Sequence, residues 1–247
     1  MECKWRRVRW GRLLPAIVVT SYVYSVLNNL ISYRQAQAGF NGTLTDITAA
    51  IKFPETDLIY ALNAWTGVTI ALSFLVWVAL ARSGRPLATL VATECLLLPI
   101  MSFAQWATVV PDALPQCLDI FAVPRGEDIS WIWSRVFPRA CGDVYWATDV
   151  AQIILWGTFA VRSVSWRSAG WERCMTVLVA LNVVLGAGLA VGSRYQYSSD
   201  VVLTLVFASL AATHPAFVAV GTRAFIHPDK RAISEAETVP FVDDAQL

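Results

Sequence analysis

Residues 174–192 read CMTVLVALNVVLGAGLAVG, a run that contains no charged side chain. A helix needs about 20 consecutive apolar residues to cross the hydrocarbon core of a bilayer, so this run predicts a transmembrane helix. Five further runs of similar character occur along the chain, at residues 13–33, 58–81, 86–110, 144–161 and 201–221. The sequence therefore predicts an all-α polytopic membrane protein with six transmembrane helices.

The composition agrees with this class. Of the 247 residues, 56% are hydrophobic and 15% are charged, and the mean hydropathy is +0.53. A soluble domain carries roughly a quarter charged residues, so the deficit indicates a lipid environment. The net charge of +1 gives no sign of nucleic-acid binding. The five cysteines lack the spacing of zinc ligands, and no metal or other cofactor is expected.

The runs divide the chain into a basic N-terminal segment at 1–12, a membrane domain at 13–221 and a polar tail at 222–247 that is expected to be flexible. The residues Ala36-Gln37-Ala38 could pass for a signal-peptide cleavage site, but the run at 13–33 is longer than an ordinary signal region. The first run is therefore interpreted as a retained transmembrane helix.

Most of the 19 Lys and Arg residues fall on the side of the membrane that holds the N-terminus. Basic residues concentrate in cytosolic loops, so both termini are predicted to be cytosolic. Asn41, in the sequon Asn41-Gly42-Thr43, would then be an exoplasmic glycosylation acceptor. Cys117 and Cys141 lie on the same side, where a disulfide is allowed. These features predict an integral membrane protein of the secretory pathway, in the Golgi, the endoplasmic reticulum or the plasma membrane.

Two acids, Asp149 and Asp200, lie within or at the exoplasmic ends of the fourth and sixth predicted helices. An ionisable group in hydrocarbon is unfavourable unless it faces a cavity or a partner, so each is a candidate site residue. We expect both to face the bundle interior. We also expect the ends of these two helices to meet, so that Asp149, Gln196 and Asp200 surround one cavity. The alternative is that Asp143, Asp149 and Asp200 pair with Arg194 only to hold helices together.

Other polar and small residues predict helix packing. Gly188 and Gly192 form a GxxxG pair, flanked by Gly186 and Ala190, that suits close contact between helices. Asn28, Asn29 and Asn182 are expected to hydrogen-bond across helices. The Trp131-Ile132-Trp133 cluster is typical of an interfacial anchor or a re-entrant element.

Short motifs stand near the predicted membrane boundaries: TVVP at 108–111 with Cys117 downstream, CGD at 141–143 and YQYSSDVV at 195–202. In its six-helix layout and in these motifs the chain resembles the sphingomyelin synthase family. That family includes inositol- and ethanolamine-phosphorylceramide synthases and is related to the lipid phosphate phosphatases. Its members read T-x-L-P, C-G-D-x-x-F-S-G-H-T and H-Y-[ST]-x-D-V at these places.

The resemblance implies a site at the exoplasmic face, where one histidine attacks the phosphorus of a phospholipid head group. An aspartate orients that histidine, and a second histidine moves protons. Asp200 matches the orienting acid, whereas Gln196 stands at the nucleophile position and Asp149 at the acid/base position. Met101 stands where the family has an arginine. The residues expected to contact substrate are Asp143, Arg194, Tyr195 and Tyr197.

Glutamine has no basic nitrogen to attack phosphorus, and the remaining histidines do not replace it. His214 lies roughly 21 Å from Asp200 along the sixth predicted helix, and His227 lies in the tail. The sequence therefore predicts a sphingomyelin-synthase-like protein of sphingolipid metabolism that lacks the ordinary phosphotransferase activity. It would act as a lipid-binding or regulatory pseudoenzyme, with phospholipid, ceramide or diacylglycerol as ligand and with homo- or hetero-oligomeric association.

Two alternatives remain at this stage. The first is a divergent ceramide head-group phosphotransferase or lipid phosphatase that uses Asp149 and Asp200, with a carboxylate in place of the histidine nucleophile. The second is a small transporter or channel in which the intramembrane acids form an ion path. The sequence shows no internal repeat and no pair of broken helices of the kind typical of transporters.

Overall fold

The computed structural model describes residues 8–38, 55–80, 84–107, 130–134, 147–164, 169–193 and 197–226. Within these ranges every regular element is an α-helix, apart from one isolated β-bridge. The helices are α1 (Trp10–Ala38), α2 (Glu55–Leu80), α3 (Arg85–Ala107), α4 (Trp131–Ser134), α5 (Thr148–Ser163), α6 (Ala169–Gly192), α7 (Ser198–Thr213) and α8 (Pro215–Phe225).

Four helices, α1, α2, α3 and α6, are long and apolar enough to cross a membrane, and α7 with α8 forms a fifth candidate if the bent pair is one span. These helices carry large apolar side chains on their outer surfaces, such as Val18, Leu181 and Val184, each more than half exposed. A contiguous apolar outer surface is unfavourable in water and favourable in lipid. The protein is therefore a helical membrane protein, with four to five helices among the described residues that qualify as spans.

Two predicted spans differ from expectation, so the structure does not confirm the count of six. The run at 144–161 becomes α5, which has only 16 residues and is about 24 Å long at 1.5 Å per residue. The run at 201–221 is not one straight helix, because α7 and α8 meet at an angle of 55°. Pro215 explains the break, since proline has no N–H to donate and its ring clashes with the preceding turn.

The short α5 lies at the centre of the bundle and contacts α2, α3, α6 and α7. Small residues bring α6 against it. A Cβ placed on Gly157 would lie 2.7 Å from Val179, and one placed on Gly186 would collide with Ile153. The predicted close contact is made by the flanking residues Gly186 and Ala190, which are buried, whereas Gly188 of the GxxxG pair has open space around it.

Two of the three asparagines, Asn29 and Asn182, connect helices as expected. Asn29 donates from its side chain to the Ile132 carbonyl on α4, across 2.7 Å. Asn182 on α6 accepts from the Trp65 indole and donates to the Thr69 hydroxyl, and both of these partners lie on α2. These bonds satisfy polar groups that lipid could not solvate.

The two ends of the described chain lie together. The backbone N–H of Arg9 donates to the Phe225 carbonyl across 2.8 Å, and Val8 forms an antiparallel bridge with Ile226. α8 also lies along α3, where Gly221 meets the backbone of Ala88. We call this part of the molecule the Arg162 end, because that residue lies there in the last turn of α5. The opposite part, where α7 begins, is the Asp200 end.

Candidate functional site

The first turns of α5 and α7 meet at the Asp200 end. The backbone N–H of Ala147, directly before α5, donates to the Thr204 hydroxyl on α7 across 2.8 Å. Both residues are fully buried. A free N–H at a helix start needs an acceptor, and the hydroxyl one turn beyond Asp200 supplies it. The expected meeting of the fourth and sixth predicted helices is therefore seen in the structure.

Asp200 is buried, with 1% of its surface exposed, and does not face lipid, as predicted. One carboxylate oxygen accepts from the Tyr197 backbone N–H across 3.1 Å, and the other accepts from the Ser199 hydroxyl across 3.2 Å. Tyr197 is itself buried. A carboxylate in the first turn satisfies a free N–H and interacts favourably with the positive end of the helix dipole. Asp200 thus begins α7 and is held in place by that role.

Asp149 lies in the first turn of α5, two positions after Ala147, and its side chain is half-buried. Its neighbour Thr148 shares a 2.9 Å hydrogen bond with the Tyr24 hydroxyl of α1. Three helices, α1, α5 and α7, therefore supply polar groups around one end of the bundle.

The same end of α1 carries a buried polar stripe. Its residues recur at the spacing of one helix face and are Ser25, Asn28, Asn29, Ser32 and Gln35. Asn29 reaches α4, and Ser32 donates to the Asn28 carbonyl. Sequence reasoning singled out only the two asparagines of this stripe, although the 3- and 4-residue spacing of its members was a usable signal.

Several predicted site residues lie outside the described ranges. They are Asn41, Cys117, Cys141, Asp143, Arg194, Tyr195 and Gln196. The described part of the predicted site is therefore Asp149, Tyr197 and Asp200. Met101, at the position of the expected arginine, is half-buried on α3.

His214 lies far from this site. It forms the junction between α7 and α8, where its ring nitrogen Nδ1 accepts from the Ala216 backbone N–H across 3.2 Å. Its ring also packs edge-to-face against Phe217, with ring centres 6.5 Å apart. His214 is thus the N-cap of α8, at the opposite end of α7 from Asp200.

Sequence reasoning missed one intramembrane acid, Glu94, near the middle of α3. The Trp156 indole N–H is shared between a Glu94 carboxylate oxygen at 3.1 Å and the Gln152 side-chain oxygen at 2.9 Å. Trp156 and Gln152 both lie on α5, whereas Glu94 lies on α3. The signal was present in the sequence, because a glutamate stood inside a predicted span and required a partner there.

Close to Glu94, an aromatic chain extends from Trp156. Trp156 contacts Phe159 edge-to-face with ring centres 5.4 Å apart, and Phe159 in turn contacts Trp77 of α2 at 6.1 Å. The glutamate is therefore part of the interface that holds α5 between α2 and α3.

No metal site accompanies these acids in the ranges that the structure covers, since no group of three or more His, Cys, Asp or Glu side chains there is close enough to share an ion. The functional groups at the described part of the site are hydroxyls, amides and carboxylates around an apolar bundle. Comparison of the chain with protein-family models, with curated proteins and with solved structures finds no match.

Proposed function

We propose that this chain is a membrane-embedded lipid-binding protein with the layout of the sphingomyelin synthase family and without histidine-dependent head-group transfer. The proposal rests on the polar Asp200 end, where Asp149 and Asp200 lie in the first turns of two helices joined by the Ala147–Thr204 hydrogen bond and Tyr197 caps the second of them. An apolar bundle with polar groups at one end suits an amphipathic ligand, because the head group then contacts polar side chains and the acyl chains contact apolar ones.

One observation carries the non-catalytic part of the proposal. Both oxygens of Asp200 accept hydrogen bonds from within the first turn of α7, so the carboxylate stabilises the helix start. An orienting acid would instead hold an imidazole, and His214 is occupied as the N-cap of α8 at the far end of the helix. This arrangement argues against formation of a phosphohistidine on the described residues.

The six-span layout belongs to the same proposal. α5 begins beside Thr204 at the Asp200 end, and in its last turn the Arg162 guanidinium reaches the Ala212 carbonyl near the end of α7. A short helix can cross at the centre of a bundle when its neighbours cover it, and most of the residues of α5 between Val150 and Ala160 are buried. We propose α5 as the fourth span and the bent α7–α8 pair as the sixth.

The proposed ligands are phospholipid, ceramide or diacylglycerol, taken from the leaflet at the Asp200 end. The positive-inside rule supports an exoplasmic position for that end and a cytosolic position for the Arg162 end with both termini. The proposed location is the secretory pathway.

The test uses the full-length chain expressed in cells that lack sphingolipid synthases. Labelled ceramide should remain unconverted on thin-layer chromatography, while ceramide or diacylglycerol should copurify with the protein above its abundance in the bulk membrane. Asp149→Ala should reduce this enrichment, whereas Glu172→Ala, which removes an exposed acid from the opposite end, should leave it unchanged. Copurified lipid that matches the bulk membrane in every variant would refute the proposal.

A divergent phosphotransferase that uses Asp149 is the second candidate, because this carboxylate is half-exposed rather than enclosed. In that case the parent protein would convert labelled ceramide, and Asp149→Asn would abolish the product without loss of folded protein. Thin-layer chromatography of the same cultures separates the two functions.

A further inference from the structure

A cavity of about 140 Å³ lies at the Arg162 end of the bundle, between α3, α5, α7 and α8. Two arginines, Arg85 and Arg162, and three threonines, Thr89, Thr93 and Thr158, supply its polar groups. The rest of its wall is leucine, proline, phenylalanine, alanine and valine. The cavity is therefore apolar inside, with cationic groups on its wall.

Arg162 is held beside the cavity by the break between α7 and α8. Its guanidinium donates to the Ala212 carbonyl across 2.6 Å. That carbonyl is available because the Ala216 N–H, its partner in a continuous helix, is bound by His214 instead. A guanidinium has five N–H donors, so one bond to Ala212 fixes its position and leaves donors for a ligand.

Arg85 lies at the first residue of α3, where a cation is electrostatically unfavourable because the helix dipole is positive at that end. The first turn of α3 contains no acid to offset it. Within the described ranges, no acidic side chain is ion-paired with Arg85 or Arg162. A bound anion would offset the unfavourable position of Arg85 at the helix start and would supply the counter-charge for both arginines.

The threonine hydroxyls limit the kind of ligand. Thr89 donates to the Arg85 carbonyl and Thr93 donates to the Thr89 carbonyl, so neither hydroxyl hydrogen is available to an anion. The donors that remain are the two guanidinium groups and the Thr158 hydroxyl. The planar geometry of the guanidinium groups suits the oxygens of a phosphate.

The surroundings indicate a lipid rather than a free ion. An open groove continues from Arg162 past Val218 along α8 to a third cation, Arg223. Val218 lines both the cavity and the groove and is partly exposed, and the same two helices also expose Val220 and Leu210. Acyl chains could lie on such a surface while the head group occupies the cavity.

We propose that this cavity binds the phosphate of an anionic membrane phospholipid, with Arg85 and Arg162 as the phosphate ligands. Basic pockets between transmembrane helices bind such head groups on the side of the membrane where Lys and Arg concentrate. The site lies at the opposite end of the bundle from Asp149 and Asp200, so it is independent of the proposed function and would hold a different lipid.

The test measures thermal unfolding of the purified full-length protein in neutral detergent, with phosphatidic acid, phosphatidylcholine or inorganic phosphate added at equal concentration. Phosphatidic acid should raise the unfolding midpoint, and the other two should not. Arg85→Gln should weaken the lipid's apparent affinity about tenfold, the loss expected for one charge-assisted hydrogen bond. Arg173→Gln removes the same charge from an exposed position on α6 away from the cavity and should retain the full shift.

Arg162 also binds Ala212, so Arg162→Gln tests the site only if the variant remains folded. Among the described residues the Arg85 side chain has no such bond to the backbone, so its variant carries the test. An equal shift with phosphatidylcholine, or an undiminished shift in Arg85→Gln, would overturn the proposal. A shift with inorganic phosphate as large as that with phosphatidic acid would also overturn it, by making the ligand a free ion.

Discussion

The Ala147 backbone N–H donates to the Thr204 hydroxyl across 2.8 Å, in an environment where both residues are fully buried. This single bond joins the start of the central helix α5 to α7 and brings the two candidate acids to one end of the bundle. Its strength therefore bears on both the fold and the proposed site.

Replacing Thr204 by valine keeps the shape of the side chain and removes the acceptor. The buried Ala147 N–H then has no partner, and we expect Thr204→Val to destabilise the protein by about 1–3 kcal/mol. Thr213→Val is the matched control, because the exposed Thr213 hydroxyl only donates to carbonyls of its own helix. Circular dichroism during thermal unfolding in detergent measures both, and equal effects would contradict the role given to Thr204.

The Trp156 indole binds Glu94 and Gln152 at once, so Trp156→Phe leaves two acceptors inside the bundle without that donor. We expect a loss of about 1–3 kcal/mol. The double variant Trp156→Phe with Glu94→Leu should be more stable than Trp156→Phe alone, because the carboxylate no longer needs a partner. Thermal unfolding of the parent, the two single variants and the double variant gives the coupling energy between Trp156 and Glu94. Additive effects would show that the two side chains do not interact.

Gly221 lets α8 approach α3. A Cβ at this position would lie 2.5 Å from the Ala88 carbonyl oxygen, which is backbone and cannot rotate away. Gly221→Ala should therefore destabilise the protein by about 1–3 kcal/mol, as overpacking does elsewhere. Gly188→Ala on α6 meets open space and should be neutral or stabilising by up to about 1 kcal/mol. Retention of full stability in Gly221→Ala would mean that the two helices are farther apart than described.

The bridge between Val8 and Ile226 makes the two ends of the described chain neighbours. Residues paired in this way have Cα atoms about 4.5–5.5 Å apart, within the range that a disulfide requires. Val8→Cys with Ile226→Cys should form an intramolecular cross-link on mild oxidation, identified by mass spectrometry of the linked peptides. Val8→Cys with Val220→Cys, which places the second thiol on the exposed face of α8, should not. Failure of the first pair would place the two ends on different sides of the bundle.

The helical class and the membrane environment follow from the sequence alone. The runs that contain α1, α2, α3 and α6 could be located without a structure, because the requirement for apolar length acts within each segment. The candidate acids Asp149 and Asp200 were found for the same reason, since a charged group within or beside an apolar run is visible in one dimension. The interhelical bonds of Asn29 and Asn182 were also anticipated from residue type.

Only the tertiary structure reveals the features that depend on which segments of the chain contact each other. Only packing shows that α5 is a short central helix, that Gly186 rather than Gly188 contacts it, and that Trp156 binds Glu94. The partners of Asp200 and the cavity between Arg85 and Arg162 likewise arise from how residues are placed in space. Local sequence determines whether a segment can be a helix in lipid. It does not determine which of many similar apolar surfaces that helix contacts, because complementary shape and hydrogen bonding across helices decide the contact.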